Sequence, residues 1–442
     1  MTPDPSRPRA VHKFGGASLA DGAGVRRVAA ILAARAPDRP IAVVSAVEGV
    51  TTMLDRVARA AADGRDELGA VRVRHRSVIS QLQLDPELLN RHFTELAAVL
   101  ASIRGRGQLT VEERDHVWSF GERASARIVA AHLNALGVRA VPIDAYDLGL
   151  VTDSNHGRAR VLPTSAERIR SALARFDGIP VITGFVAQDA GGRLTTLGRN
   201  GSDLSASLIA EAVRASEVLF WKEVGGVMTA DPKLVPQARV LRALSYSEAS
   251  ELTFHGAAVL HAEAVGPLAA AQIPGRVVCV RQPDDAGTLV SQCGAHAGPV
   301  GIACRRGIVL ARLWGPHGTV ELLARARSML ERAGIEPLHM SESEGELVLA
   351  APWSDELGRV LLSLGLRVNL ERELAKLAAV GASDVEGLSA MLRARGFDVR
   401  ASWRAGERTS AVFALPEAQL AAAASLAHDV VCSQGLLEGG LR

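Results

Sequence analysis

The segment V-H-K-F-G-G-A-S at residues 11–18 decides the fold of this chain. It predicts a short strand, two glycines and the entry into a helix over residues 22–36. Glycines let a backbone approach a phosphate closely, and a helix N-terminus presents free N–H groups to an anion. Lys13 supplies a positive charge within reach of the same anion. Taken alone, the pattern is equally compatible with a tight strand–helix turn that binds nothing.

Outward from this segment, strands and helices alternate over the first two-thirds of the chain. Further buried strands are predicted at Ile41–Ser45, Val138–Ile143, Ile179–Thr183 and Val218–Lys222, and helices at 51–62, 85–103 and 122–136. This alternation predicts an α/β fold of three αβα layers around a mostly parallel sheet. Such sheets bind ligands at the carboxyl ends of their strands.

The composition excludes several classes of protein. Among 442 residues, 50 Lys and Arg against 48 Asp and Glu leave a net charge of +2, and 48% of the residues are hydrophobic. A balanced charge argues against a nucleic-acid or anionic-membrane binder, and the basic stretch 65–76 indicates a solvated helix face. The four cysteines form no C-x-x-C pair, which favours reduced thiols in the cytoplasm. Residues 1–10 predict a disordered tail rather than a signal peptide, and no apolar run is long enough for a membrane span.

The pattern of predicted strands and helices changes after about residue 284, where the C-terminal third begins. A Gly/Ala-rich linker is predicted at 291–300, followed by two units of similar pattern at 301–372 and 373–442. Their βαββαβ-like order predicts two ferredoxin-like α+β modules. The alternative is one irregular α+β domain.

A second motif, T-T-L-G-R-N-G-S-D at 195–203, precedes an amphipathic helix. Ser202 or Asp203 is the predicted N-cap of that helix. Arg199 suits bidentate recognition of a carboxylate or phosphate. The alternative is a capped loop with a surface arginine.

Two more motifs follow along the chain. The stretch F-W-K-E-V-G-G-V-M-T-A-D-P-K at 220–233 predicts either a nucleotide clamp or a simple turn, and E-A-S-E-L-T-F-H-G-A-A-V-L-H spans 248–261. We interpret His255 and His261 as structural residues rather than ligands. There is no G-x-x-x-x-G-K-[ST] motif, which excludes a P-loop kinase.

Together and in this order, the four motifs resemble the aspartate kinase family (the aspartokinases), within the amino acid kinase fold. The family's usual forms are K-F-G-G-T-S, T-L-G-R-G-G-S-D, [TK]-D-V-x-G-[VIL]-x-T-x-D-P-[RK] and E-L-x-x-F-G-A-[KQ]-V-L-H-P. The resemblance implies a catalytic domain over 11–290 and two ACT modules at 301–372 and 373–442. ACT modules bind amino-acid effectors between subunits, so it also implies a possible effector and a homodimer or larger homo-oligomer.

Residue by residue, the resemblance implies that Lys13 and Asp203 are catalytic, Asp203 by ordering the lysines. Glu122 would bind the α-ammonium group of the substrate, and Arg199 its α-carboxylate. The implied amino-acid site comprises Thr51, Glu122, Arg199, Gly201 and Ser202. The implied nucleotide site comprises Lys13, Gly15, Gly16, Ser18, Lys222, Glu223, Met228, Asp231, Lys233 and Ala258. The cofactors implied are ATP and Mg²⁺, the latter bound mainly through the nucleotide and not by a protein metal site.

Several positions depart from the family forms, mostly on the nucleotide side. Asn200 replaces a Gly but tolerates left-handed backbone better than most residues. The other departures are Ala17 for Thr, Glu223 for Asp, Met228 for an aromatic, Ala258 for Lys and Ala262 for Pro. If the Lys that Ala258 replaces contacts phosphate in relatives, its loss costs about 2–4 kcal/mol of transition-state stabilisation.

The implied reaction is transfer of the ATP γ-phosphoryl group to the β-carboxylate of L-aspartate, giving 4-phospho-L-aspartate for lysine, threonine and methionine biosynthesis. An ionised carboxylate needs no general base at pH 7, so the task is to bring two anions together. Two alternatives stay open. One is an acyl-phosphate kinase for another amino acid, and the other is a catalytically impaired regulatory subunit that senses an amino acid through its ACT modules.

Overall fold

The computed structural model describes residues 9–198, 200–257, 260, 262–293, 298–315, 319–343, 346–406 and 410–438. Most of the predicted tail and part of the predicted linker therefore lie outside the described residues. By packing, the chain divides into two units. The first takes in the described residues of Met1–Val227, Arg242–Tyr246 and Leu260–Gly294, and the second those of Met228–Leu241, Ser247–Val259 and Ala295–Arg442.

Nineteen strands lie in the described residues. They are β1 Val11–Phe14, β2 Ile41–Val44, β3 Ala140–Ile143, β4 Val151–Thr152, β5 Ile179–Thr183, β6 Val186–Asp189, β7 Leu194–Thr196, β8 Val218–Lys222, β9 Val227–Met228, β10 Val240–Leu241, β11 Ala243–Ser245, β12 Gly275–Cys279, β13 Thr288–Ser291, β14 Gly301–Trp314, β15 His339–Ser343, β16 Glu346–Pro352, β17 Arg367–Val380, β18 Ala401–Ala405 and β19 Ser410–Pro416.

Thirteen α-helices lie in the same residues. They are α1 Gly22–Ala34, α2 Val50–Ala62, α3 Leu68–Gln81, α4 Asn90–Arg106, α5 Val111–Ala135, α6 Ser165–Leu173, α7 Gly201–Val213, α8 Tyr246–His255, α9 Ala262–Ala271, α10 Thr319–Arg332, α11 Asp355–Ser363, α12 Val385–Ala394 and α13 Leu420–Glu438. None of the helices in the described ranges combines the length and the apolar composition that a membrane crossing needs.

The first unit is built on an eight-stranded sheet in the order β11-β13-β12-β8-β1-β2-β5-β3. Every neighbouring pair is parallel except β12 and β13. Because β1 lies between β2 and β8, its carboxyl end meets those of two parallel neighbours at one edge. The prediction of an α/β fold with a mostly parallel sheet is confirmed.

Fully buried apolar side chains explain why the strands of this sheet form. All four residues of β1 and of β2 are buried, as expected for strands that are covered on both faces. Helices α1 to α5 pack their apolar residues into the same core as Phe14, Val44 and Trp221. A smaller three-stranded sheet has the order β4-β6-β7, and its last strand ends at Thr196, within the second motif.

Two helix boundaries differ from prediction for local reasons. Helix α5 begins at Val111 rather than at 122, because Thr110 and Glu113 form a capping box in which the Thr110 hydroxyl accepts from the Glu113 N–H. Helix α4 begins at Asn90 rather than at 85, because the Asp85 carboxylate accepts from the Glu87 N–H and holds a turn there.

The second unit is built on a six-stranded antiparallel sheet in the order β15-β16-β14-β17-β19-β18. Its two central strands are 14 residues long and pair along their length, with bulges between Arg305 and Leu310. Residues Gly301–Arg305 pair with the second half of β17, whereas the rest of β14 pairs with its first half and with β16.

This pairing gives each half of the sheet its own core and its own helices. One core joins Ile302 to α12, α13 and β19, and the other joins Val309 to α10, α11 and β16. Each half therefore contains four strands and two helices. The pairing places Gly301–Arg305 with the second half, so the first ferredoxin-like half is inserted into the second. The boundaries 301–372 and 373–442 remain a proposal.

Candidate active site

Three charged side chains meet at the carboxyl edge of the first unit's sheet. Lys13 lies on β1, Lys222 ends the neighbouring strand β8, and Asp203 lies in the first turn of α7. The Lys13 Nζ lies 2.6 Å from Asp203 Oδ1, and the Lys222 Nζ lies 3.1 Å from Asp203 Oδ2. One carboxylate thus joins two ammonium groups and leaves a net charge of +1.

Burial and mutual attraction act in opposite directions on these groups. Burial lowers the pKa of Lys13 below its ordinary value, although Asp203 opposes this shift. For Asp203, burial raises the pKa, but the charges and hydrogen bonds of Lys13 and Lys222 outweigh it and hold the pKa below its ordinary value. Asp203 is therefore ionised at neutral pH, and its function is to hold the lysines rather than to exchange a proton.

The two glycines after β1 place backbone without side chains at the same carboxyl edge of the sheet. In the part of the chain that the structure describes, the N–H groups of Gly15, Gly16 and Ala17 donate no hydrogen bond. A Cβ at Gly16 would lie 2.8 Å from the Ala46 carbonyl oxygen, so only glycine fits there without a shift. Free N–H groups beside two lysines form a site for an anion such as a phosphate.

A second chain of contacts extends from this edge toward solvent. The Ser18 hydroxyl donates to Glu223 Oε1 at 3.3 Å, and Arg281 Nε contacts Glu223 Oε2 at 2.7 Å. Arg281 therefore balances the negative charge of Glu223. Sequence reasoning missed Arg281, which follows β12 and belongs to none of the four motifs.

A cavity of about 520 Å³ opens in the first unit beside the glycines. It is lined by Gly16, Ser45, Ala46, Val47, Glu48, Gly49, Thr51, Thr52, Trp118, Glu122, Gly157, Phe185, Gly198, Asn200, Gly201 and Ser202. The structure thus brings together Gly16 and four of the five residues predicted for the amino-acid site. Their individual roles remain predictions.

Glu122 is the buried acid of this cavity. It lies on α5, is 3% exposed, and its Oε2 atom contacts no hydrogen-bond donor among the described residues. Burial raises its pKa to about 8, although a backbone hydrogen bond from Ala46 and the charge of Lys13 oppose this. A carboxyl group with one oxygen free in a cavity suits a cationic ligand group, which would complete its hydrogen bonds and favour its ionised form.

The opposite side of the cavity is formed by the start of α7. Asn200 adopts left-handed backbone with φ 58° and precedes the first helical residue, Gly201. The prediction that Ser202 or Asp203 is the N-cap is wrong, because the left-handed Asn200 lets the helix begin earlier. The same observation confirms that Asn tolerates the conformation for which relatives use glycine.

Five predicted residues lie outside the described part of the first unit. Arg199 and Ala258 lie outside the described residues. Met228, Asp231 and Lys233 belong to the second unit, where the Asp231 side chain accepts from the Lys233 N–H at 2.9 Å. Their nucleotide role remains a prediction.

Two aromatic residues of the cavity were not predicted. Trp118 lies four residues before Glu122 on α5, and its ring centroid is 6.2 Å from that of Phe185. Helical spacing from Glu122 would have identified Trp118 as a neighbour, since residues four apart share a face. No local pattern marks Phe185, which takes φ 67° between β5 and β6.

The described residues contain no group of three or more His, Cys, Asp or Glu side chains that could hold a metal ion. Two acids at this site contact basic side chains: Asp203 contacts the two lysines, and Glu223 contacts Arg281. The arrangement fits a polyanion next to a small ligand with a cationic group.

Comparison with known proteins agrees with this geometry. A model of the amino acid kinase family matches residues 8–279. The chloroplastic aspartokinase 1 of Arabidopsis thaliana is 31% identical over 386 residues, which cover 84% of this chain and 68% of that protein.

Two solved structures are similar over nearly the whole chain. Escherichia coli aspartokinase III in complex with aspartate and ADP (R-state) matches with a TM-score of 0.80 and 25% identity, over 95% of this chain and 99% of that one. The same enzyme in complex with lysine and aspartate (T-state) matches with a TM-score of 0.77 and 26% identity, over 96% and 99%. This chain therefore belongs to the amino acid kinase family and, within it, to the aspartokinases.

Proposed function

We propose that the protein is an aspartate kinase, which transfers the γ-phosphoryl group of ATP to the β-carboxylate of L-aspartate and gives 4-phospho-L-aspartate and ADP. The observation that carries this proposal is the pair of lysines held by Asp203 at the same sheet edge as the cavity of Glu122. The similarity to an aspartokinase that binds aspartate and ADP supports it.

The main barrier is the repulsion between a triphosphate and a carboxylate. Lys13, Lys222 and the free N–H groups of Gly15 and Gly16 supply positive charge where the transferring phosphoryl group would lie. Two unit charges 4 Å apart attract by about 4 kcal/mol at an effective dielectric constant of 20. Two or three such contacts reach the lower part of the range of about 8–23 kcal/mol by which enzymes lower barriers.

Asp203 holds the two lysine side chains together at this site. Without it, two ammonium groups would repel each other in a buried site, and burial would favour their neutral forms. With it, both lysines are held in a fixed position before ATP arrives, so little reorganisation is needed during transfer. No residue has to remove a proton from the acceptor, because the β-carboxylate is already ionised at pH 7.

The amino-acid side orients the acceptor. Glu122 would bind the α-ammonium group, and Thr51 and Ser202 would contact the rest of the amino acid from opposite sides of the cavity. Arg199 would bind the α-carboxylate. In this arrangement the β-carboxylate points toward Gly16 and Lys13, which are the groups assigned to the phosphate.

The nucleotide substrate is Mg²⁺-ATP. The metal would enter with the triphosphate, because Mg²⁺ keeps several waters and is usually bound through substrate phosphates and one or two carboxylates. When bound, Mg²⁺ neutralises phosphate charge, which adds to the effect of the two lysines.

The proposal extends to regulation by an amino acid, to assembly, to location in the cell and to the pathway. The two ferredoxin-like halves of the second unit would act as ACT modules that bind an amino-acid effector, and the protein would form a homodimer or a larger homo-oligomer. A similar enzyme has been solved with lysine and aspartate. All four cysteines are free thiols, which supports a cytoplasmic location. The product would enter lysine, threonine and methionine biosynthesis.

Hydroxylamine trapping tests the proposal, because hydroxylamine converts an acyl phosphate into a stable hydroxamate. Purified protein with Mg²⁺-ATP should form aspartyl β-hydroxamate from L-aspartate and no hydroxamate from L-glutamate. Hydroxamate from another amino acid instead would identify an acyl-phosphate kinase of different specificity. Binding of an amino acid without any ATP-dependent hydroxamate would identify a regulatory protein and contradict the proposal.

A further inference from the structure

Helix α5 carries a buried acid that none of the four motifs contains. Asp115, Trp118 and Glu122 lie three and four residues apart, so they share one face of the helix. Trp118 and Glu122 line the cavity, whereas Asp115 lies beneath its rim and is 0% exposed. An ionisable group without solvent contact needs compensation from its neighbours.

Three hydrogen bonds provide that compensation. Asp115 Oδ2 accepts from the Gly157 N–H at 2.7 Å and from the Thr196 N–H at 3.1 Å. Asp115 Oδ1 accepts from the Thr196 hydroxyl at 2.8 Å. Within the described ranges the carboxylate pairs with no Lys or Arg, and the nearest basic atom is the His156 Nδ1 at 3.4 Å. Burial raises the pKa of Asp115, and the three hydrogen bonds oppose that shift.

The donors belong to two segments that form the cavity wall opposite α5. Gly157 lies in the loop after β4, and Thr196 ends β7. The Ala159 N–H also donates to the Thr196 carbonyl at 2.9 Å, which ties the two segments together. A Cβ at Gly198 would lie only 3.4 Å from the Gly157 carbonyl oxygen. Gly157 and Gly198 both line the cavity, so the bonds of Asp115 fix the course of its wall.

We infer that Asp115 is a positioning residue for the amino-acid substrate, since it fixes the wall formed by Gly157, Gly198 and Asn200–Ser202 relative to Glu122. Because one rigid helix carries both Asp115 and Glu122, it sets the distance between the group assigned to the α-ammonium and the wall that faces it. This inference rests on the proposed function. A misplacement of about 1 Å can lower a rate by about 100-fold even when no reacting group is lost.

The substitution Asp115→Asn tests this inference. It keeps the shape of the side chain but removes the negative charge that strengthens all three hydrogen bonds. Its NH₂ group can only donate, so the Thr196 hydroxyl loses its acceptor. We expect the KM for aspartate to rise by about tenfold or more, while the KM for ATP stays within about twofold. A residue that served stability alone would change both constants together or neither.

Asp144→Asn is the matched control. Asp144 is also buried, accepts from Arg127 at 2.7 and 2.8 Å and from the Tyr146 hydroxyl at 2.8 Å, and does not line the cavity. Its substitution should lower the melting temperature without changing the ratio of the two KM values. If Asp144→Asn produced the same selective rise, the inference would be wrong.

Thr196→Val is the second variant, for the case that Asp115→Asn does not fold. It removes only the hydroxyl donor and should raise the KM for aspartate about threefold to fivefold, the effect of one hydrogen bond. An unchanged KM for aspartate in a folded variant, or equal rises in both KM values, would overturn the inference.

Amide hydrogen exchange at Gly157 and Thr196 gives a readout that does not depend on the reaction. Exchange at both amides should accelerate in Asp115→Asn and stay unchanged in Asp144→Asn; equal rates in the wild type and Asp115→Asn would overturn the inference. A wild-type protein that does not turn over aspartate would contradict the proposed function instead. Calorimetric binding of L-aspartate to the wild type and Asp115→Asn would then replace the KM comparison.

Discussion

Glu122 lies in an environment unlike that of a surface acid. Burial raises its pKa to about 8, and its Oε2 atom contacts no donor among the described residues. The proposed ligand of this carboxyl group is an ammonium group, which interacts strongly only with the ionised form. In the free enzyme, protonation of Glu122 therefore competes with substrate binding below about pH 8.

The pH dependence of kcat/KM for aspartate tests this assignment, because that constant reports the ionisation of the free enzyme. The ionised fraction of Glu122 grows as pH rises, so kcat/KM should increase about tenfold per pH unit below its inflection, which lies near 8. Glu122→Gln should lower kcat/KM and abolish this ascending limb. A wild-type profile that is flat from pH 6 to 9 would refute the assignment.

At the scale of single elements, α5 holds the site together through close packing. Gly121 precedes Glu122, and a Cβ at this position would lie 2.7 Å from the Ala46 Cβ and 3.5 Å from side-chain atoms of Val50 and Leu54. Helix α5 therefore lies directly against the loop and the helix that form the cavity wall next to Thr51. This close approach fixes Glu122 relative to the start of α2.

The matched pair Gly121→Ala and Gly105→Ala separates close packing from helix propensity. Gly121→Ala should destabilise the protein by about 1–3 kcal/mol through overpacking and should raise the KM for aspartate. Gly105 in α4 has no atom within 4 Å of an added Cβ, so the same substitution there should stabilise the protein by up to about 1 kcal/mol. Thermal unfolding checks both values. Destabilisation by Gly105→Ala, or none by Gly121→Ala, would contradict the packing argument.

The elements also show what local sequence can and cannot predict. Strands such as Ile179–Thr183 and Val218–Lys222 were predicted to the residue because an apolar run in a parallel sheet has sharp ends. The start of α5 was missed by eleven residues because its first turns are polar and only the capping box at Thr110 marks them. Lys13 is predicted from a motif and Glu122 from the family resemblance, whereas Asp115 and Phe185 depend on contacts across the fold that no local pattern encodes.

At the scale of the whole molecule, some segments pack with a different unit or half from their neighbours in the sequence. Helical and strand periodicity predicted the C-terminal α+β halves, but not that β14 and β17 run through both of them. All of helix α8 lies within the matched family region, yet its residues from Ser247 onward pack in the second unit. Strand partners and docking of helices are long-range properties, so they appear only in the folded structure.

The second unit buries a charged network where α8 meets its sheet. Lys376 on β17 is 1% exposed, and its Nζ lies 3.5 Å from the His255 Nδ1. The His255 Nε2 lies 3.2 Å from Glu251 Oε1, which also accepts from the Ser410 hydroxyl at 2.7 Å. Burial lowers the pKa of Lys376 to about 8. His255 thus belongs to a structural network, in line with its interpretation from the sequence.

Lys376 should make the stability of the protein depend on pH. Between pH 8 and 10.5 the unfolded chain binds more protons at this residue than the folded one, so stability should rise with pH in that window. Between pH 8 and 10.5, the free energy of unfolding of the wild type should rise by at most about 3 kcal/mol more than that of Lys376→Met. Urea unfolding at several pH values measures this difference. Lys233→Met, at an exposed lysine of the same unit, is the control and should follow the wild type. If the free energy of unfolding changed with pH in the same way for the wild type and Lys376→Met, the neighbours of the buried ammonium group would fully compensate its burial, and the prediction would be wrong.

The central claim is that Lys13 and Lys222, held by Asp203, allow a triphosphate and an amino-acid carboxylate to react. The most direct measurement is ADP release with Mg²⁺-ATP, with and without L-aspartate, by the wild type and by Lys13→Ala in parallel. The account predicts aspartate-dependent release by the wild type and a fall of about 100-fold or more in Lys13→Ala, with the fold intact. Release that does not depend on aspartate, or an unchanged rate in a folded Lys13→Ala protein, would contradict it.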